Sequence, residues 1–507
     1  MLSSVAWVPK GASKAVPKRE PLDLALQDPA NEDDMDEDAM VEEALNQGFD
    51  EEEEGENDEK TSENQKEENM QPEEELDEDA RIVKQYNLDD YDQEEDNVGK
   101  RLLTAGLQEI VNVSNQEDPY LNDKIAEDDD LSDIEDLTIR PTDCVLVGVH
   151  SEEDVNHLDV YIYEEQEDNL YVHHDVLLGA FPLCVEWVAC NPKSSSISDT
   201  TNNNTTAPST GSFAAVGTFE PCIEIWDLDV LDAVEPMATL GGAKQETTSK
   251  LKLKKKFKKK IPTSFLPGSH ESAVMGLSWN KLAGQYLASC SADTTVKVWD
   301  LTTQQCGQTF NHHRDKVQSL QWHPTEASVL CAGSYDRTCS VFDVRYPNAI
   351  KLTSKLPADT EHLQWHPTDA AQFYVSTENG NLLLFDMRSL QKPVWTLSAH
   401  SKPCSSFSIN PQVASLLVTA SIDKTVKFWD ISGSAPACIH TSKTASSIFT
   451  VGFCKDSPLL LAVGGEGEGS SMDDEAQSDD KRLAVWNISN ITSIAQKYNL
   501  KPTVASQ

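Results

Sequence analysis

Eight lysines fall within residues 250–260 (Lys250, Lys252, Lys254, Lys255, Lys256, Lys258, Lys259 and Lys260) of a chain whose net charge is −45. Ammonium groups at that density neutralise backbone phosphates without reading bases, so any nucleic-acid contact would be sequence-tolerant and strongly salt-dependent. The same run reads as a nuclear or nucleolar import signal, or as an internal counter-charge to the acidic residues; Phe257 alone offers little stacking surface. Catalytic patterns are missing: there is no G-x-S-x-G, H-E-x-x-H, G-x-x-x-x-G-K-[ST] or zinc-like Cys/His spacing. His173-His174-Asp175 would suggest a metal ligand set, but it falls where a repeat running through the chain expects a structural histidine. "GEGEG" at 465–469 resembles a phosphate loop superficially, since its carboxylates would repel an anion. Ser132, Ser470, Ser471 and Ser478 each precede acidic residues and read as sites for an acidophilic kinase. A non-enzymatic protein is expected, with no cofactor, no metal and no small-molecule substrate.

Charge divides the chain. Residues 31–140 contain 42 Asp/Glu and 8 Lys/Arg, a local net of −34, which leaves −11 for the other 397 residues. So dense a run of like charge with few aromatics cannot bury enough surface to offset chain entropy and is expected to be disordered. It reads either as a solubilising segment or as an arm for basic partners such as histones or ribosomal proteins. Within it, Ile82, Val83, Tyr86, Leu88 and Tyr91 would form a docking helix or a clamp on the folded body. No run of ~18 apolar residues suggests a membrane span. The first residues lack the apolar core of a secretory signal. Eleven cysteines without a C-x-x-C pair read as reduced thiols of an intracellular protein.

What must position any arm is a repeat. One aromatic series runs Trp187, Trp279, Trp322, Trp365, Phe407, Phe453; a second closes apolar runs at Trp226, Trp299, Phe342, Phe385, Trp429 and Trp486. From Trp299 to Trp429 the second series steps by 43, 43 and 44 residues. Between the paired aromatics lie phrases such as "LASCSADTTVKVWD", two antiparallel strands around a tight turn. Four strands in ~40–45 residues resemble the WD-repeat β-propeller. That resemblance implies a hydrogen-bonded network of His270, Ser289, Asp293 and Trp299 in one blade, and of His400, Thr419, Asp423 and Trp429 in another. Ala332 and Phe342 leave the intervening blade's network incomplete.

The fold class expected is all-β: a seven-bladed propeller over 141–500, with a long acidic insertion near its start. "LDVYIYEE" around Tyr161 supplies a seventh third strand, and its blade lacks an innermost strand nearby. Residues 1–11, with "SVAWVPKG", are the unused phrase that fits, so 12–140 becomes an insertion within blade 1. "SIAQKYNL" is expected to form the outermost strand of blade 7, leaving 501–507 as a tail. Loops 191–211, 241–267 and 465–480 interrupt the period. The propeller pattern implies that the lysine run and the Gly-Glu loop share one face, the acidic block and the Ser/Asn loop the other.

Taken together, "VAWVPKG" ahead of an acidic stretch, "YNLDDYD", "YVHHDVLL", "FPLCVEWV", "IEIWDLDVLDAVEPMATLG" with its lysine run, "SYDRTCSVFDVR" and "TASIDKTVKFWD" resemble the periodic tryptophan protein 1 family over essentially the whole chain. The resemblance implies a nuclear, mainly nucleolar factor in ribosome biogenesis, acting on the large-subunit precursor and its rRNA and bridging it to basic proteins. It also implies an association with ribosomal-DNA chromatin and histone tails, so a chromatin adaptor is a second reading. A third is a substrate receptor of a cullin ubiquitin ligase, because "FDVR" and "FDMR", ending at Arg345 and Arg388, resemble W-D-x-R boxes.

Overall fold

The computed structural model describes residues 1–19, 137–152, 155–193, 210–244, 265–346, 350–433, 435–467 and 482–500. Their strands form seven antiparallel sheets arranged as the blades of a WD-repeat propeller. Blade 1 joins Leu2–Val8 to Cys144–Glu152, Val155–Glu164 and Asn169–Leu178. Blade 2 comprises Pro182–Cys190, Thr210–Thr218, Cys222–Asp227 and Ala238–Gly241. Blades 3 to 6 begin at Val274, Val317, Thr360 and Ser406, each with four strands. Blade 7 holds Ile448–Phe453, Leu460–Gly465 and Leu483–Asn487, three strands among the described residues.

A blade is covered on both faces by its neighbours, so its second strand cannot be amphipathic. Cys144–Val149 and Leu416–Ser421 are accordingly buried along their length, as expected of strands packed on both sides. The apolar clusters lie between blades rather than within them. Val145, Val147 and Leu158 of blade 1 meet Val185 and Val216 of blade 2, while Leu2 and Leu146 of blade 1 meet Leu460 and Ala462 of blade 7.

The first aromatic series joins neighbouring blades. The indole N–H of Trp322 donates to the Ser278 carbonyl at 3.0 Å, that of Trp365 to Gln321 at 3.1 Å, and that of Trp7 to Gly452 at 2.9 Å. Side chains reinforce the same seams: Ser278 accepts from the Trp322 amide, Ser319 from Leu363 and Ser408 from Phe453. Each pair is separated by 44 or 45 residues, so the period in the sequence is the spacing of bonds that run around the ring.

Leu2–Val8 lies antiparallel on Cys144–Glu152, with Leu2 opposite His150 and Val8 opposite Val145. The chain then crosses blade 2, where Lys18–Arg19 pairs in parallel with Val230–Leu231. On its return the Ile139 amide donates to the Ala15 carbonyl at 2.8 Å. Residues 12–19 and 137–140, assigned by sequence to the disordered insertion, are thus held against the blades.

The outermost strand expected from "SIAQKYNL" is corrected. Thr492–Tyr498 is a helix that ends at Asn499 in the left-handed conformation (φ 50°). Ile491, Ile494 and Tyr498 recur three and four residues apart, the helical period, and all three pack into the blade 6–blade 7 cluster, Ile494 completely buried. Lys497 adds an ion pair with Asp430 of blade 6. The helix therefore fastens the chain's last described segment to blade 6 instead of completing blade 7.

Candidate functional site

Strand order gives the ring two chemically different faces. Loops from an outer strand to the next inner strand, and from a second to a third strand, open on one face; the other two loop classes open on the opposite face. On the first face the stem of the lysine loop is closed by an Ala243–Phe265 bridge and a Leu266 amide bond to Gly242. The Gly242 amide also donates to Ser269 Oγ at 2.8 Å, one residue before His270. The lysines themselves, Lys250, Lys252, Lys254, Lys255, Lys256, Lys258, Lys259 and Lys260, lie outside the described residues, as do Ser132, Ser470, Ser471 and Ser478 and the cluster Ile82–Tyr91. Among the described residues, Val155 (48%), Leu177 (63%) and Phe219 (59%), each at a turn of blade 1 or 2, are exposed on this face, together with Leu266 of the lysine-loop stem.

The same face carries the hydrogen-bonded networks. In blade 3, the Trp299 indole donates to Ser289 Oγ at 2.8 Å, Ser289 meets His270 Nε2 at 2.7 Å, and His270 Nδ1 meets Asp293 at 2.9 Å. Blade 6 repeats it: Trp429 to Thr419 at 2.9 Å, Thr419 to His400 at 2.8 Å, His400 to Asp423 at 3.0 Å. This geometry fits a neutral imidazole that donates from Nδ1 and accepts at Nε2. Burial accordingly pushes the pKa of both histidines down despite the adjacent carboxylate. Burial opposes ionisation of Asp293, yet its bonds with His270 and Thr295 and the Glu271 amide hold its carboxyl well below the usual range.

The expectation of an incomplete network in blade 4 is corrected in part. His313 Nδ1 reaches Asp336 at 3.2 Å, and its Nε2 meets Ser340 Oγ at 2.8 Å. Ser340 sits on the third strand directly opposite Ala332. The hydroxyl missing from the second strand is therefore supplied from across one rung; what Phe342 does not replace is the indole donor. The His313–Ser340 spacing could have revealed it, had both strands been searched. Ser340→Ala is expected to lower stability by about 1–3 kcal/mol, because His313 Nε2 would be left buried without a partner. Urea unfolding of the variant against the parent and against Ala332→Ser/Ser340→Ala checks this: the double variant should recover most of the loss, and an unchanged midpoint in the single variant would remove Ser340 from the network.

His173 and His174 also depart from expectation. They lie inside the outer strand of blade 1 rather than ahead of the next inner strand. His173 bonds to the Leu137 carbonyl at 3.0 Å and to His174 at 2.8 Å, and burial pushes His174 down to about 4. Arg345 and Arg388 each close on the aspartate of their own turn, Arg345 to Asp343 at 2.6 Å and Arg388 to Asp386 at 2.8 Å, with both guanidinium side chains mostly exposed.

The opposite face is marked by Lys281 and Lys455, from the turns after the inner strands of blades 3 and 7. Lys455 is pushed down to about 8 by desolvation among the surrounding blades and by the neighbouring Lys281, although its side chain still reaches solvent. Glu186, on the inner strand of blade 2, is raised by burial and acted on by both lysines. Groups on blades that are not adjacent meet this way only across the ring's centre. The stem of the acidic segment leaves on this face, its Lys14 paired with the buried Asp229 at 3.2 Å.

Comparison with known proteins agrees with this architecture. The WD domain, G-beta repeat model matches residues 261–300, 304–343 and 391–430, which are blades 3, 4 and 6; the WD-repeat propeller is a generally non-catalytic, scaffold-like fold. An uncharacterized WD repeat-containing protein of Schizosaccharomyces pombe is 38% identical, the alignment covering 92% of this chain and 87% of the relative. Periodic tryptophan protein 1 of Saccharomyces cerevisiae is 32% identical over 85% of this chain and 78% of its own length. The periodic tryptophan protein 1 homolog of Drosophila melanogaster is 28% identical, with 80% and 79% covered. With relatives matched across blades and acidic segment alike, the chain belongs to the periodic tryptophan protein 1 family of WD-repeat proteins.

Proposed function

We propose that this protein is a non-enzymatic nucleolar assembly factor of ribosome biogenesis that bridges precursor rRNA of the large subunit to basic proteins. The observation that carries the reading is the opposed pair of charged insertions. A run of eight lysines in eleven residues is inserted in a loop of one face, and a segment of net charge −34 in a loop of the other. The described stems of the two insertions leave the ring from different loop classes, which gives each kind of partner its own point of approach. Exposed Val155, Leu177 and Phe219 on the lysine-bearing face offer an apolar contact beside the phosphate contact.

Replacing Lys254, Lys255, Lys256, Lys258, Lys259 and Lys260 by Gln is expected to abolish retention of precursor rRNA in low-salt affinity purification from nuclear extract. With all eight lysines engaged on single-stranded RNA, the log affinity against log salt should slope at roughly −5 to −6, about −0.7 per phosphate contact. The substitution should flatten most of that slope. Recovery of nucleosomal histones without precursor rRNA by the unaltered protein would overturn the reading in favour of a chromatin adaptor.

A further inference from the structure

In blade 1 the positions that carry the His–Ser–Trp network elsewhere are occupied differently. The ladder sets His150 opposite His157, and Asp159 opposite both Gly148 and Asp175. Directly paired and alternate residues of a sheet share a face, so His150, His157, Asp159 and Asp175 project together from three strands. His157 Nδ1 is 3.1 Å from Asp175 Oδ2, and His150 Nδ1 is 3.0 Å from Asp159 Oδ2. The two imidazoles stack with centroids 4.9 Å apart. One donor atom each from His157, Asp159 and Asp175 lies within 4.8 Å of the others.

A second observation concerns the burial of the cluster's inner half. His150 is only 5% exposed, and its Nδ1 makes no hydrogen bond; the nearby Asp159 oxygen lies within reach but outside bonding alignment. That nitrogen faces Asp159 Oδ2 at 3.0 Å, so it is already turned toward the carboxylates. Asp159, 4% exposed, takes the Tyr161 hydroxyl at 2.7 Å, the kind of outer bond that orients a ligating carboxylate.

We propose that His150, His157, Asp159 and Asp175 bind one divalent transition ion of the zinc class. Two neutral imidazoles and two carboxylates balance the ion's charge. Tetrahedral zinc with bonds of about 2.0–2.2 Å needs donors about 3.3–3.5 Å apart; each histidine stands 3.0–3.1 Å from its own aspartate, the donors of His157, Asp159 and Asp175 lie within 4.8 Å of one another, and His150 must swing in from its stacked position to complete the set. Calcium and magnesium favour all-oxygen sets of six or more ligands, which this cluster does not offer. Four protein ligands leave no open position, so the ion is structural: it ties together the three strands of blade 1 that the chain supplies consecutively. Asp175, 53% exposed, and His157, 23% exposed, form the rim through which the ion enters.

The test uses the full-length chain, stripped with chelator, exchanged into metal-free buffer and then loaded with Zn²⁺ or, for its visible spectrum, Co²⁺. About one equivalent should survive gel filtration, with a tetrahedral Co²⁺ absorption band. At a hundredfold excess of Zn²⁺ over Kd the melting temperature should rise by about 3 °C. His157→Gln/Asp175→Asn should lose the retained ion and the rise, while melting like the stripped parent, since both positions are at the rim. Retention by that double variant equal to the parent's would assign the ion to the acidic segment or other histidines and overturn the proposal. So would a melting temperature of the parent that ignores Zn²⁺.

Discussion

Deletion of residues 1–12 is expected to abolish cooperative melting of the whole propeller, although the deleted piece is under a fortieth of the chain. Leu2 is completely buried and Val8 nearly so, and each contributes about 1.5–3 kcal/mol by burial. Trp7 bonds the Gly452 carbonyl of blade 7, and six rungs of ladder tie the strand to Cys144–Glu152. Removing it leaves an unpaired edge facing the centre of the ring and strips apolar cover from both blade 1 and blade 7. The combined loss is comparable with a total stability of roughly 5–15 kcal/mol. Circular dichroism during heating decides it: a melting curve superimposable on that of the intact chain would show that the ring closes without this strand. Gly464→Val is a companion that leaves the strand in place. A Cβ at Gly464 would lie 2.3 Å from Leu2 Cδ2 and 2.8 Å from Thr450 Cγ2, so the variant should lose several kcal/mol by overpacking the same seam.

Acidification from pH 7 to 5 should lower the melting temperature on the order of 10 °C. Burial depresses His270, His312, His313, His366 and His400, and pushes His174 and His362 each down to about 4. A group whose folded-state pKa is depressed below its unfolded value near 6.5 binds its proton in the unfolded chain first. Stability from these histidines is therefore present above pH 6.5 and lost as pH falls, by at most about 1.4 kcal/mol per unit for each. Three carboxyls act in the opposite sense. Burial raises Glu186 and Glu224, and burial with Glu378 and Asp359 pushes Glu361 up to about 7. They take up protons in the folded ring over the same window, and seven imidazoles against three carboxyls leaves the net effect destabilising in acid. Carboxyls of ordinary pKa stay ionised above pH 5, which isolates the effect from the acidic segment. Glu361→Gln should steepen the profile, and a profile that stays flat in Glu361→Gln as well as in the parent would mean that the imidazoles are charged in the folded state.

The period, the blade number and the separate origin of the first inner strand were legible because they rest on aromatic spacing, which a one-dimensional pattern preserves. The networks of blades 3 and 6 followed from the resemblance to the WD-repeat propeller and not from the spacing itself. Ser340 was not legible: its hydroxyl replaces one at Ala332, which is eight residues away in sequence and one rung away in the sheet. Thr492–Tyr498 was misread because its apolar residues are too few to separate a helical period from strand alternation. The cluster on blade 1 was missed because His150, His157, Asp159 and Asp175 come from three strands. Its local signal was the alternation His157-Leu158-Asp159, whereas "HHD" drew attention to two histidines that bond elsewhere.

The bond from Trp7 to Gly452 spans 445 residues, and a chain made from its N-terminus at roughly 5–20 residues per second takes roughly 20–90 s to supply the second partner. For that interval the first inner strand has emerged from the ribosome but its seam with blade 7 cannot form, and even its ladder partner arrives only with Cys144. The segment synthesised behind it carries a net charge of −34 over residues 31–140, so the wait between the first inner strand and its ladder partner is spent making the acidic insertion. Closure of the ring is therefore the last folding event the order of synthesis permits, because both partners of the blade 1–blade 7 seam exist only once Gly452 has been made.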